Sequence, residues 1–315
     1  MTGRIYTADH HVYNLPPLLA WNVKHTGTVP CDSWWITAVY QAEMVPVLKM
    51  AAGFAAIENG VTQLRGIVDE YTVELGGGGM TVTMSGRGYA ARLLDNESRP
   101  VTYEQVTLRE LIRCHAEPYG ITCGAAADLR STVPYTAGAG ISQWKVISEF
   151  CRTYGGFLPR FAKTGELLAT AEGDSGKRIV IDGGSPVLSC RMREDHYGVL
   201  TEALVIDKQQ NISYSVKNPK MIAKGGQCRR VIYTPGRSTW DAMRYTGDYQ
   251  IRQSRKEEQA VEIELPGSFG AFPGNRVALT LEKMGIAGLY RVAEAENRFS
   301  AREGAVMRWT LKECE

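Results

Sequence analysis

The 315-residue sequence predicts a β-rich α+β chain, with two small β-barrel domains, an α+β domain between them and a helical excursion in the second barrel. Three observations lead there. Short runs of apolar residues alternating with polar ones recur toward both ends, which is the period of strands with one buried face. Two amphipathic segments with helical spacing sit together in the middle. The composition, 33 glycines and 15 tyrosines against 7 phenylalanines, leans toward turns and half-exposed strands. At this length two or three domains are expected. The character of the chain changes near Arg99-Pro100 and again at the Gly, Asp and Ser-rich linker Glu172 to Gly176. The expected domains are therefore residues 1–99, 100–176 and 177–315.

In the first domain Leu19, Trp21 and Val23 form one alternating run and Trp34, Ile36, Ala38 and Tyr40 another, with Pro30-Cys31-Asp32-Ser33 as the turn. The pair Trp34-Trp35 puts one indole on each face. Gln41 to Ala56 fits two readings: Met44, Val47, Leu48 and Ala51 have helical spacing, whereas Pro46 and Gly53 favour strand or irregular structure. The stretch Gly60 to Asn96 is the most strongly patterned. Tyr71, Val73 and Leu75 alternate on the way in, Met80, Val82 and Met84 on the way out, and Gly76 to Gly79 reverse the chain. This predicts a hairpin with one face buried and one facing water. After Ser85-Gly86-Arg87-Gly88 the period becomes helical through Tyr89, Leu93 and Leu94, and Asp95-Asn96 end the run. With the opening hairpin these make five or six strands, enough to close a small barrel.

The middle domain opens on Thr107-Leu108-Arg109-Glu110, a capping box followed by Leu108, Leu111, Ile112 and His115 on one face until Pro118 and Gly120. A second helix begins near Ile141-Ser142, carries Trp144, Ile147, Cys151 and Tyr154 on one stripe, and ends at Gly155-Gly156. Both need a platform, and the hairpin Phe157 to Phe161 against Leu167 to Thr170, turned at Lys163-Thr164-Gly165, supplies one.

In the third domain Ile179 to Ile181, Val187 to Met192, Ala203 to Ile206 and Ile212 to Val216 read as short strands. An insertion at about 217–257 follows, with a Lys/Gly loop at Lys220 to Gly226 and a helix over Ser238 to Lys256 whose middle Gly247 weakens. Alternation returns in Val261, Ile263 and Leu265 and, after the turn Pro273-Gly274-Asn275, in Val277, Leu279 and Leu281. The last segment, Leu289 to Leu311, can be laid on Leu64 to Met84: a leucine opens a strand, acidic residues follow, and a glycine-containing reversal leads to an alternating return. Identity between them is low, so the pair fits either a duplicated barrel or two unrelated hairpins.

The totals bound function. Hydrophobic content of 44%, charged content of 22% and a net charge of +2 are those of an ordinary soluble chain without a global pull toward nucleic acid or membrane. The start, MTGRIYTADHH, lacks the pattern of an export signal, and no apolar run is long enough to span a bilayer. Seven cysteines, Cys31, Cys114, Cys123, Cys151, Cys190, Cys228 and Cys314, without a C-x-x-C pair, read as free thiols of a reducing compartment rather than a zinc site. His10-His11, His25, His115 and His196 have no evident ligand set around them in sequence, and surface or core roles are expected for each. Asp69-Glu70 and Glu172 with Asp174 are the only carboxylates worth weighing as a glycosidase pair, and solvated strand or linker positions account for them. Gly76 to Gly79 lacks the Lys-Ser/Thr of a phosphate loop, and Gly86-Arg87-Gly88 reads as a tight corner rather than an anion nest. No catalytic, cofactor-binding or metal residue is assigned, and no cofactor is expected.

The succession GIVDEYTVEL, a glycine turn, MTVTMSGRGYAARLLDN and TLRELIRCHAEPYGI resembles the tail hub proteins of contractile phage tails, the Mu-like and T-even baseplate hubs with their tailocin and contractile-injection relatives. In that family a strand ends in a Gly-Arg turn that leads into a short helix with an Asp near its end, here Gly86, Arg87 and Asp95; Gly88 stands where the family often carries an acidic residue. Gly155-Gly156 and Gly165-Glu166-Leu167 match the domain that the family inserts between its two tube-like barrels. The resemblance implies a non-enzymatic structural hub, a homotrimer whose like barrels form a pseudo-sixfold ring adapting a sixfold tail tube to a threefold central spike. It implies as partners the chain itself, the spike, the tube or tube-initiator protein, the tape measure protein and baseplate wedge proteins. DNA would pass through the lumen only in transit, with no membrane insertion. The location implied is the virion tail baseplate, assembled in the host bacterial cytoplasm. The alternative from another class is a cell-wall hydrolase or carbohydrate-binding β-module on a virion or secreted particle.

Overall fold

The computed structural model describes residues 1–27, 30, 32–131, 133–171, 178–234, 239–255 and 258–314. Cys31 and the linker Glu172 to Gly176 lie outside the described residues. The chain forms two compact units, Met1–Ser189 with Ile263–Thr310, and Cys190–Glu262 with Leu311–Glu315. It is β-rich with a minority of helix, as the alternating patterns predict.

In the first unit Val12–Asn14, Thr2–Thr7, Ala51–Glu58 and Val61–Ile67 form one antiparallel sheet in that order. A second sheet runs Ile286–Ser300, Leu18–Thr26, Ser33–Val39, Gly79–Arg87 and Glu70–Gly76, antiparallel at every step. The long strand Ile286–Ser300 serves two sets of neighbours. Its first part pairs with Arg276–Leu281, which runs parallel to Arg178–Ile181, and its second part pairs with Leu18–Thr26. Residues distant in sequence thus complete one sheet, with Asn297 opposite Val23 and Phe299 opposite Trp21.

The inner faces of the sheets meet in a core that includes Ile5, Trp34, Ile36, Phe54, Leu64, Val82 and Met84. Burial of each such side chain stabilises the fold by about 1.5–3 kcal/mol. Trp34 stacks on Phe54 at 3.8 Å, and Phe269 and Phe299 lie 5.5 and 6.1 Å from the Trp21 ring. Trp34 is 2% exposed and Trp35 41%, as consecutive residues of a strand must divide. Leu19, expected beside Trp21, is instead exposed. The register shifts between Leu18 and Ala20, so Leu19 is the extra residue of a bulge. The ambiguous Gln41 to Ala56 uses both of its readings: a short helix at Met44–Lys49 holds Pro46 within its first turn, and the strand Ala51–Glu58 follows.

The middle segment has its own core around Leu108, Leu111, Ile112, Val146, Ile147 and Phe150. Leu108–His115 starts at the expected capping box, with the Thr107 hydroxyl accepting from the Glu110 amide and the Glu110 carboxylate from the Thr107 amide. Gln143–Phe150 is capped by Ser142 and passes through a π turn, Cys151–Gly155, to left-handed Gly156. The platform is Arg160–Phe161 against Leu167–Ala169, extended by the parallel strand Cys123–Ala126, whose small residues gave no alternating signal.

In the second unit Glu202–Asp207 lies between Ile212–Lys217 and Arg229–Tyr233, and the helix Trp240–Arg255 packs across the first two. Gly247 does not weaken this helix as expected. A Cβ there would stand 2.4 Å from the Val216 side chain, so glycine is what lets helix and strand approach. Met243 and Ile251, one turn to either side, are buried. Within the expected Lys/Gly loop Pro219–Ala223 is helical, capped by Asn218 with Pro219 at its first position, a signal that was present in the sequence.

Two glycines hold the first unit's sheets at their closest approach. A Cβ on Gly86 would lie 2.0 Å from the Ile67 carbonyl oxygen, and one on Gly66 2.2 Å from that of Arg87. Backbone cannot yield as a side-chain tip can. Gly86→Ala and Gly66→Ala are each expected to destabilise the protein by about 3 kcal/mol. Urea unfolding followed by tryptophan fluorescence measures this, and Gly76→Ala, with open space around it, serves as the control.

Candidate functional site

The residues weighed for chemistry in the sequence go to separate places. His11 pairs with Asp9 at the surface at 3.1 Å. His115 is buried between the Tyr103 hydroxyl at 3.0 Å and the Gln143 amide oxygen at 2.6 Å. His25 is buried with Nδ1 3.2 Å from Asp32, its Nε2 unpartnered among the described residues and its ring against Phe272. The Asp32 carboxylate also accepts from the Thr26 amide, so this pair braces the strand end. Cys151 is buried, and desolvation pushes its thiol up to about 12, which makes it inert near neutrality.

His196 is the histidine whose surroundings the sequence concealed. Glu194, His196 and Glu258 bring ligand atoms within 4.8 Å of one another in the second unit. The Lys224 ammonium stands among them, bonded to Glu194, 3.4 Å from His196 and 3.6 Å from Glu258. It occupies the position and supplies the charge that a cation would. The hydrogen bond with His196, followed by Lys224, lowers the Glu194 carboxyl to about 2.

The corner at Gly86-Arg87 does assemble. The chain leaves the four-stranded sheet at Ile67 and enters the other sheet at Glu70, and Asp69 lies in this switch. The Arg87 guanidinium grips the Asp69 carboxylate at 2.8 and 2.9 Å and, from its other side, the Asp95 carboxylate at 2.9 and 2.8 Å. One planar fork therefore ties the sheet switch, the outgoing hairpin strand and the end of the short helix Ala91–Leu94. Arg87 holds Asp95 below the usual carboxylate range, and the two carboxylates raise Arg87 further. Beneath the fork the Trp34 indole donates to the Ile67 carbonyl at 3.1 Å, and Gly66 forms a bridge with Gly88. Asp69 is thus committed to an arginine and its neighbour Glu70 faces solvent; the pair has no acid–base geometry.

From this corner the hairpin Glu70–Gly76 and Gly79–Arg87 extends, with Gly76 opposite Gly79 as the glycine run predicts. Its return strand alternates between buried and half-exposed from Thr81 onward, with Val82 and Met84 buried as expected, while Met80 is exposed. Its incoming strand does not: every residue of Glu70–Gly76 is exposed. Tyr71 lies opposite Met84 and Val73 opposite Val82, so the incoming apolar row shares the core face of the sheet. Among the described residues none buries it there, and Leu75 is 79% exposed. The opposite face of this sheet carries polar pairs alongside the exposed Trp35 and Val39. Asn22 donates to Glu296 at 2.6 Å, Lys24 pairs with Glu294 at 2.9 Å, and the Thr37 and Thr83 hydroxyls meet at 3.1 Å.

No family model matches the sequence, and no curated protein does. Solved structures do match in fold. The tail protein of prophage MuSo2 from Shewanella oneidensis superposes with a TM-score of 0.80 at 15% identity, covering 99% of this chain and 98% of that one. The tail protein from Neisseria meningitidis MC58 gives 0.77 at 14% identity, with 99% and 96% covered. An Escherichia coli component of the type VI secretion system, described as similar to bacteriophage T4 tail proteins gp27 and gp5, gives 0.58 at 9%, with 95% and 74% covered. The chain has the fold of these tail proteins.

Two outcomes are expected from the ion pairs. Arg87→Met leaves Asp69 and Asp95 facing each other without a cation. After allowance for their partial exposure it should lower stability by about 1–2 kcal/mol and hasten proteolysis within residues 70–87. The Glu194 carboxyl is lower folded than its ordinary 4.5, so its contribution is complete above pH 4.5 and is lost as pH falls through about 2. Solvent screening keeps that contribution to under about 1 kcal/mol. Glu194→Gln should flatten the acid dependence of the urea midpoint across this window, lying slightly below wild type at pH 7 and converging with it as pH falls toward 2.

Proposed function

We propose that this chain is a structural hub of a contractile tail baseplate, a homotrimer forming a pseudo-sixfold ring between a sixfold tail tube and a threefold central spike. The observation that carries the reading is the fold match to prophage tail proteins over nearly the full length of both chains. A partial match would be compatible with one borrowed module; a match from end to end makes the whole architecture that of a tail component. The Gly86, Arg87 and Asp95 corner supports it as well, since its parts meet in one bonded unit of backbone geometry rather than in a site open to substrate.

In this reading the chain carries two tube-like barrels, residues 1–99 and 177–315, flanking the α+β domain 100–176, and three copies present six similar modules. The spike, the tube or tube-initiator, the tape measure and the wedge proteins are its partners in the virion baseplate. The face bearing Asn22, Lys24, Thr37 and Thr83 suits a lumen, because Lys24 is paired with Glu294 and the open charges of Glu70 and Glu74 on the same face repel a phosphate rather than hold it. Thr81, Thr83 and Thr310 are half-buried residues on such strands.

Native mass by light scattering tests the proposal. Three copies of the 34.8 kDa chain are expected, alone or on addition of the spike protein in equal number. A monomer indifferent to both spike and tube proteins would overturn it. Cell-wall material should remain undegraded in the same preparations; release of sugar or peptide fragments would favour a hydrolase.

A further inference from the structure

The geometry points to the strand Glu70–Gly76 as one half of a contact between copies, pairing antiparallel with the strand Ser189–Glu194 of a second copy of this chain. The inference supplies a contact for the homotrimer proposed above and is tested separately from it.

Glu70–Gly76 ends its sheet. Gly79–Arg87 satisfies one side of its backbone, and the other side pairs with no strand among the described residues. Its two faces differ. Tyr71, Val73 and Leu75 extend the core face, at 41%, 37% and 79% exposure, while Glu70 and Glu74 lie on the other face without a cation among the described residues. A flat apolar edge of this length invites association and is tolerated where a defined partner covers it. That partner needs an open strand edge, an apolar row on one face and positive charge on the other.

Ser189–Glu194 has these features. It lies along Gln259–Pro266 and has no second neighbour among the described residues. Leu188 and Met192 are 57% and 42% exposed and share a face with Cys190, and Arg191 and Arg193 occupy the opposite face, Arg193 paired with Asp195 two residues on. Arg229–Tyr233, another arginine-bearing edge, fits less well because Arg229 shares its face with the exposed Val231 and Tyr233. In antiparallel register with Glu70 opposite Arg193, Tyr71 meets Met192, Val73 meets Cys190 and Leu75 meets Leu188. Arg191 then lies diagonal to both Glu70 and Glu74. A slip of one residue would drive both carboxylates onto the apolar row, so the alternation selects the register. Glu194, at the strand's end, is already neutralised by Lys224. Because the two edges differ, the contact is heterologous: each copy offers one edge and accepts with the other, the kind of contact that repeats around a ring.

Val73→Cys tests the register directly, since it sets a thiol opposite the native Cys190 of the next copy. Oxidation by copper(II) phenanthroline, which takes up the two electrons as the two thiols lose their protons, should give disulfide-linked multimers on a non-reducing gel. Val73→Cys with Cys190→Ser should give none. Glu70→Arg and Arg193→Glu should each weaken self-association at least tenfold, and a mixture of the two variants should recover it. All these positions are exposed or at an edge, so circular dichroism should be unchanged. A wild-type trimer with no crosslink and no response to charge reversal overturns this contact and leaves the hub standing. A crosslink in a chain that forms no trimer with its spike upholds the contact and removes the hub. No crosslink at any protein concentration overturns the contact whatever the native mass.

Discussion

The first unit depends on how closely two sheets cross at Gly66 and Gly86. At this crossing one backbone carbonyl lies where the other strand's Cβ would be, and Trp34 fills the space beneath, stacked on Phe54 and bonded to the Ile67 carbonyl. A larger residue at either glycine would separate the sheets and unseat the indole. The chain changes sheets within two residues of that point, the Val68 amide donating to Ala52 in the sheet it leaves and the Asp69 amide to Ser85 in the sheet it enters. Arg87 adds two bidentate ion pairs, one to the residue inside the switch and one to the end of the helix beyond it. Steric necessity and charge thus act on the same four or five residues.

That constraint also gives the hairpin its character. Because the corner is rigid, the strands leaving it continue the sheet past the limit of the core that covers it. The inner face then carries apolar side chains that no described residue covers, and the outer face mixes paired polar groups with the open Glu70 and Glu74 and the exposed Trp35. Within one chain this is a liability, and in an assembly it is an adhesive edge. A fold whose apolar surplus lies at a sheet edge rather than in a concave pocket is better suited to holding neighbours than to enclosing a small ligand.

Charged clusters elsewhere follow the same logic of internal satisfaction. Glu194, His196 and Glu258 surround Lys224, and His25 leans on Asp32 beneath Phe272. Each arrangement joins segments that local structure would leave apart. In these two clusters the carboxylates, the imidazoles and the lysine are engaged in holding the chain to itself.

Much of this was legible in the sequence. The capping box at Thr107, the Ser142 cap, the glycine turn of the hairpin and the split of Trp34 from Trp35 are local, decided by neighbours within four residues, and periodicity finds them. So is the Gly-Arg turn with its later Asp, whose order along the chain identified the corner. Misreadings arose wherever a neighbour distant in sequence decided the outcome. Leu19 was displaced by a bulge that only its pairing partner reveals. Gly247, unfavourable by propensity, is required by Val216. Cys123–Ala126 became a strand because Leu167–Ala169 offered it an edge. The sequence by itself determined which segments could be strands or helices and which face of each was apolar, since those follow from the spacing of side chains. Only the tertiary structure decided that Ile286–Ser300 would pair with Leu18–Thr26, that Lys224 would sit among three ligand groups, and that the apolar row of Glu70–Gly76 would stay uncovered. Alternation states that a face can be buried; whether anything lies over it depends on where the rest of the chain ends up.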